Sequence, residues 1–352
     1  MDAAPTLPHN QPPAGRRAQQ SALKGEVAQF QQPDRWQSLG QLASSFIGLI
    51  AACAAMYALL PVSYWLVLPL IPVAAGFVVR IFIIQHDCGH RAFFVSRRAN
   101  DLVGYICSLA TLTPYPSWRR QHAGHHGVWN DLDRRDSGAD IYSACLTVEE
   151  YRGSSPAARR WYRITRHPLV ANLLLPPLVF LVLYRFPFDM PKSWRHERRV
   201  VHLTTLAIVA FFAGLGFLVG FEALLLVQLP VSLLAAIIGV WLFAVQHRGA
   251  ETRWSRNHEW TATGAALEGS NYLRLPRILQ WFTGNIGFHH IHHLNPRVPN
   301  YRLPDCHRNL PALASVPTLT FPQGLKAMLF VLWDERRQRM ITLREERKLA
   351  AA

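Results

Sequence analysis

Charge is in short supply in this sequence. Only 17% of its 352 residues are Asp, Glu, Lys or Arg, while half are hydrophobic. That balance is more apolar than an ordinary soluble domain carries. Acidic residues are the scarcer kind, 22 against 37 basic, leaving a formal charge of +15. There is no Cys-X-X-Cys pair. Cys53, Cys88, Cys107, Cys145 and Cys306 are scattered, which argues against a disulfide framework. No internal repeat occurs. Residues 1–38 lack the apolar core of a signal peptide. Their Pro, Gln, Ala and basic residues predict a disordered cytoplasmic tail.

What the chain does have is long apolar runs. Leu39 to Leu60 carries no charge, and after Pro61 a second run extends from Val62 to Ile84. Val200 to Gly220 and Ala223 to Gln246 match them in length, each enough to span a bilayer. Arg80 lies near the end of the second run, within reach of the interface. Pro168 to Tyr184 is also apolar, but Pro176-Pro177 interrupts it and Lys192, Arg195, Arg198 and Arg199 follow. Such charges belong inside, so 168–184 is expected to be interfacial or re-entrant. Asp101 to Trp118 is too short to cross and is also placed at the interface; 127–167 is polar and placed in the cytoplasm.

The fold class expected is an all-α integral membrane protein with four transmembrane helices, about 39–60, 62–84, 200–220 and 223–246, in two hairpins. Interfacial segments and a cytoplasmic helical domain complete it, with 306–352 as a cytoplasmic C-terminal helical segment. Basic residues lying between apolar spans point to anionic headgroups of the bilayer rather than nucleic acid. A positive-inside topology signal explains them equally well.

Histidine is the other feature. Nine of sixteen histidines fall in three boxes: His86-Asp-Cys-Gly-His90, His122-Ala-Gly-His125-His126, and His289-His290-Ile-His292-His293. Positions three and four apart share one helix face, so each box presents its imidazoles together. Neutral imidazole is the commonest metal ligand and suits iron, zinc, copper or nickel. A single box is matched by a pair of surface histidines; three at this spacing point to a metal centre assembled from three parts of the chain. All three boxes must then lie on one membrane face. A reducing, cytoplasmic one agrees with the unpaired cysteines.

The boxes and their surroundings resemble the membrane fatty acid desaturase family, over about residues 39–305. Gln85 to His90 resembles the family's first box. Asn130-Asp-Leu-Asp-Arg-Arg135, Leu146-Thr-Val-Glu-Glu-Tyr151, Phe282-Thr-Gly-Asn-Ile-Gly287 and Asn295-Pro-Arg-Val-Pro-Asn-Tyr301 resemble its bacterial acyl-lipid branch. The resemblance implies two Fe ions ligated by His86, His90, His122, His125, His126, His289, His292 and His293, with His290 at a variable position. It also implies dioxygen as co-substrate, a lipid-linked fatty acyl substrate, and a bacterial inner-membrane location with both termini cytoplasmic. No His-Pro-Gly-Gly haem motif is present (His167-Pro168 is followed by Leu169), so a separate ferredoxin or cytochrome must bring the electrons. A hydroxylase or carotenoid ketolase shares such boxes and remains an alternative. A metal-binding transporter is disfavoured by the few polar residues within the spans.

One further ligand is expected outside the boxes. Gln246-His247 ends the last apolar run as Gln85-His86 ends the second, and related desaturases place an extra histidine there. The competing role for His247 is a helix cap, worth about 0.3–1 kcal/mol.

Overall fold

Four helices are long and apolar enough to cross a membrane: Arg35–Leu59, Tyr64–Gly89, Arg195–Val219 and Phe221–Val245. They are the first to fourth long helices of the computed structural model, which describes residues 13–135 and 144–351. Each has at least 25 residues, or about 37 Å at 1.5 Å per residue, more than the ~30 Å of hydrocarbon in a bilayer. The Asp34 side chain caps the first, accepting from Gln37 N at 2.8 Å. Gly220, at φ 90°, turns the chain between the third and fourth in a conformation that favours glycine.

The second long helix is the centre of the bundle. It meets the first where Gly48 leaves room for the Phe77 ring. It meets the fourth through Ala74, Ala75 and Val79 against Val227, Val231, Ala235 and Leu242. Small residues at these contacts let the backbones approach closely.

Pro156–Thr165 and Val170–Arg185 form a pair bent by 54°, which by length and composition counts as a possible fifth span. The second member winds irregularly around Pro176-Pro177, with wide turns on both sides. Proline supplies no N–H, and such turns absorb the mismatch.

Two expectations need correction. Residues 13–28 are not a disordered tail: Pro13–Ala28 is a helix whose Leu23 and Val27, four apart, are buried against Phe288, Ile291 and Leu294. Residues 1–12 of that expected tail, and 136–143 of the polar segment, lie outside the described residues.

Nor is the chain all-α, and 306–352 is not simply helical. Phe330–Asp334 pairs antiparallel with Arg339–Thr342, and Leu146–Thr147 joins in parallel. The hairpin forms because Asp334 Oδ1 accepts from Arg336 N (3.1 Å) and Arg337 N (3.0 Å), while Gln338 takes φ 50°. Its flanks, Phe-Val-Leu-Trp and Met-Ile-Thr, are of β-favouring type. A second parallel pair joins Tyr272–Arg274 to Thr318–Thr320.

Candidate metal centre

All three boxes and His247 converge where the second and fourth long helices end. The first box occupies the last turn of the second long helix, with His90 as its cap. The second box lies on the helix Tyr115–Val128 and the third on the helix His289–Leu294. Local sequence explains each placement. Gln85 clamps a bend at Leu112, a non-glycine residue at φ 55°: Thr111 Oγ1 donates to Gln85 Oε1 (2.6 Å) and Gln85 Nε2 donates to Thr113 O (3.2 Å). That bend turns the chain into the second-box helix. Gln246 Nε2 likewise donates to Ile286 O (3.0 Å), tying the end of the fourth helix to the approach of the third box.

The Thr-Gly-Asn-Ile-Gly approach has its own logic. Gly284 and Asn285 both take positive φ, 51° and 58°. A Cβ on Gly287 would strike Leu273 O, so glycine there lets Leu273 N donate to Gly287 O (2.8 Å).

The Asn-Asp-Leu-Asp-Arg-Arg stretch fastens the second box to the chain following His247. Leu132 N donates to Ser255 O (2.9 Å), Ser255 N to Asn130 O (3.0 Å), and Asn130 Nδ2 to Arg253 O (2.6 Å).

The imidazoles divide into two groups. His86, His90, His122, His126 and His292 form one; His125, His247, His289 and His293 form the other, with ligand atoms within 4.8 Å of one another in each. In the second group the Nε2 atoms of His125 and His247 are 3.1 Å apart, His125 and His293 3.3 Å, His247 and His289 2.9 Å, His247 and His293 3.2 Å, and His289 and His293 3.1 Å.

Hydrogen bonds do not account for five such contacts. Each Nε2 carries either one proton or one lone pair, so four of them share two hydrogen bonds at most. A cation receiving all four lone pairs does account for them. A regular tetrahedron with edges near these distances has its centre ~1.9 Å from each corner, close to an imidazole–metal bond of about 2.0–2.1 Å. In the first group His122 and His126 are 3.2 Å apart and His126 and His292 2.9 Å. His86 and His90 close the ring, their ring centres 4.3 Å and 4.8 Å from that of His292. His126 and His293 stack at 4.3 Å, so the groups adjoin.

Electrostatics favours neutral, ligating imidazoles. Burial, and secondarily the neighbouring histidines, push His122, His126, His289, His292 and His293 well below the ordinary histidine pKa. Asp87 Oδ1 lies 3.2 Å from His86 Nδ1, fixing the ring so that Nε2 faces the group. Asn300 holds Asp87 in turn, donating to Oδ2 from its backbone N (2.7 Å) and from Nδ2 (2.8 Å).

The spacing of the histidine boxes does not disclose those supporting roles of Asp87 and Asn300. Trp129 was also missed, though its spacing from His125 is the i, i+4 signal; its ring lies 3.9 Å from that of His247. His290 sits in neither group. It is buried on the other side of its helix, 5.4 Å from His307.

A largely apolar cavity of about 160 Å³ opens against both groups, lined by His86 and His122 of one and His125 and His289 of the other. Val79, Phe82, Ala235, Gly239 and Phe243 wall it along the second and fourth long helices, with Phe180 and Tyr184 from the irregular segment.

A bundle of membrane-length helices ending in two adjoining polyhistidine groups defines a membrane protein with a candidate metal site beside an apolar slot. Comparison narrows the class. The sequence model of the family described as "Fatty acid desaturase" matches residues 63–321, and the chain belongs to that family. It is 42% identical over 325 residues to a "Fatty acid desaturase" of Bacillus subtilis (strain 168), covering 92% of this chain and 91% of that one. It is 28% identical over 285 residues to an "sn-1 oleoyl-lipid 12-desaturase" of Synechocystis sp., covering 78% and 73%. A third relative, "sn-2 acyl-lipid omega-3 desaturase (ferredoxin), chloroplastic" of Helianthus annuus, is 28% identical over 298 residues, covering 77% and 60%.

Proposed function

We propose that this protein is a membrane-bound, oxygen-dependent acyl-lipid desaturase, with two irons held by His86, His90, His122, His126 and His292 and by His125, His247, His289 and His293. The observation that carries this reading is one apolar cavity bordered by imidazoles of both groups. Iron bound there supplies the chemistry of dioxygen: O2, two electrons and two protons convert adjacent methylenes to a double bond with two waters released. The chain's own part is to aim the imidazoles, keep water from the slot and hold the acyl chain straight against the second and fourth long helices. The electrons come from a separate one-electron carrier, ferredoxin or cytochrome. The "(ferredoxin)" in the Helianthus relative's name supports the first.

The long helices pair as two hairpins, with the metal groups and the strand pairs around Phe330–Thr342 and Tyr272–Arg274 on the cytoplasmic side of a bacterial inner membrane. Segment 170–185 does not cross. At 16 residues it reaches only about 24 Å. Both of its flanks also meet parts placed on that same side: Tyr162 OH donates to Val331 O at 2.5 Å before it, and Asp189 Oδ2 accepts from Gln121 of the second-box helix at 2.7 Å after it. The start of the third helix lies beside the second box as well, where Arg120 reaches Glu197 at 2.9 Å.

Expression in a host lacking polyunsaturated lipids, followed by fatty acid profiling, tests the reaction. New double bonds and about two irons per chain are expected; oxygen-bearing products would replace desaturation by oxygen insertion. A single cysteine at Ser193 tests the topology: labelling by an impermeant reagent outside intact cells would show that 170–185 crosses.

A further inference from the structure

A second cavity, of about 640 Å³, opens beside the first and second long helices. It is not part of the acyl slot. Phe82 of the second helix lines the slot and Arg80 lines this cavity, and two positions on a helix are about 200° apart. Arg80, Arg277 and Arg308 face it together with Gln37, Gln41 and Gln280, and no carboxylate is among the described lining residues. Arg308 is shared at the rim with Asp305.

Arg80 carries the argument. It is 7% exposed, its Nη1 donates to Trp281 O, and its guanidinium stacks 3.9 Å from the Trp281 ring. Its Nε is buried without a hydrogen-bond partner among the described residues. Gln41 adds the complementary need. Its Nε2 donates to Asn300 Oδ1 (3.0 Å), but its buried Oε1 has no donor among the described residues. A buried polar atom left this way costs about 1–3 kcal/mol, so a ligand offering an anionic acceptor and a hydroxyl donor suits both. Trp281, which lines the cavity, and Trp36, next in sequence to the lining Gln37, are 42% and 76% exposed, side chains of the kind that sit at headgroup depth.

We propose that this cavity binds the phosphoryl headgroup of an anionic glycerophospholipid with a free headgroup hydroxyl, of the phosphatidylglycerol type, as a resident lipid separate from the acyl substrate. The inference rests on the membrane placement above and is independent of the reaction catalysed.

The test uses the full chain purified in detergent. Melting temperature and mass spectrometry of the intact protein are read on adding phosphatidylglycerol, phosphatidylcholine or inorganic phosphate. A phosphatidylglycerol adduct with a raised melting temperature is expected, and neither effect from the other two. Arg277→Gln, at an exposed position, should weaken that lipid about fivefold, and Arg80→Gln at least as much. Arg344→Gln, on the C-terminal helix, should change nothing. Equal effects of phosphatidylcholine, a shift reproduced by inorganic phosphate alone, or wild-type lipid affinity in Arg277→Gln would each overturn the proposal. Desaturation is scored separately, so a wild-type protein that makes no double bond yet binds this lipid would fail only the catalytic reading.

Discussion

Alanine at His247 removes one of the two most connected corners of the second histidine group, His293 being the other. The His247 Nε2 lies 2.9 Å from that of His289, 3.1 Å from His125 and 3.2 Å from His293. Three imidazoles remain, and the centre that four of them defined is open on one side. Loss of a partner that merely orients a ligand costs about 10–100-fold in metal affinity, so loss of a ligand should exceed about 100-fold. Iron should fall from about two per chain to about one or less, and desaturation should disappear. The imidazole also packs on Trp129, so the alanine leaves a hole; His247→Gln, closer in volume, separates metal loss from collapse. The comparison is His258→Ala, whose side chain is 77% exposed and which should stay within about 0.5 kcal/mol of wild type. Iron per chain is measured on detergent-purified protein, with lipid double bonds scored in the same cells. Equal iron in the His247 and His258 variants would refute the ligand role and leave His247 as a helix cap.

Three other outcomes are expected. His292→Ala should abolish product, whereas His290→Ala, outside both groups, should keep a measurable fraction in the same lipid assay. Acid should destabilise the metal-free protein. The buried imidazoles have pKa values below the unfolded value of about 6.5, so below that pH the unfolded chain binds more protons and stability falls with pH; a melting temperature that holds or rises from pH 7 to 5.5 would contradict this. Gly239→Leu should fill the slot without harming the fold, since a Cβ there meets nothing within 4 Å and leucine favours a helix by about 1 kcal/mol. Gly239 lies eight residues before His247, about 12 Å along the helix, the reach of roughly ten carbons at ~1.2 Å per bond. Long acyl groups should be converted at least tenfold less, and unchanged conversion with an intact melting curve would rule out this path for the chain.

The spans and the boxes were legible because each is a local pattern: an uncharged run, or imidazoles at one helical spacing. His247 was legible by analogy with His86, since a Gln-His pair ends both apolar runs. What escaped was non-local. Phe330–Asp334 is a short apolar run that periodicity does not separate from a helix, and its parallel partner Leu146 lies far back in the chain. Among its described side chains the N-terminal helix offers one buried i, i+4 pair, Leu23 and Val27, too little for a periodic signal. The division of ligands between the groups also depends on how the box helices cross, which spacing within a box does not encode.

That division has a consequence for how the centre fills. The second-box helix sends His122 and His126 to one group and His125 to the other; the third-box helix sends His292 to the first and His289 and His293 to the second. If the two groups hold ions as proposed, the first ion captured would fix the roll of both helices about their axes. The three imidazoles they contribute to the other pocket are then already aimed, and the next ion has little orientational entropy left to remove. On the proposed ligand assignment, loading would therefore be mutually reinforcing, with a sigmoidal titration and few half-filled molecules at equilibrium. A lesion in either pocket would then be felt in both, and the apoprotein would mature as a single committed event.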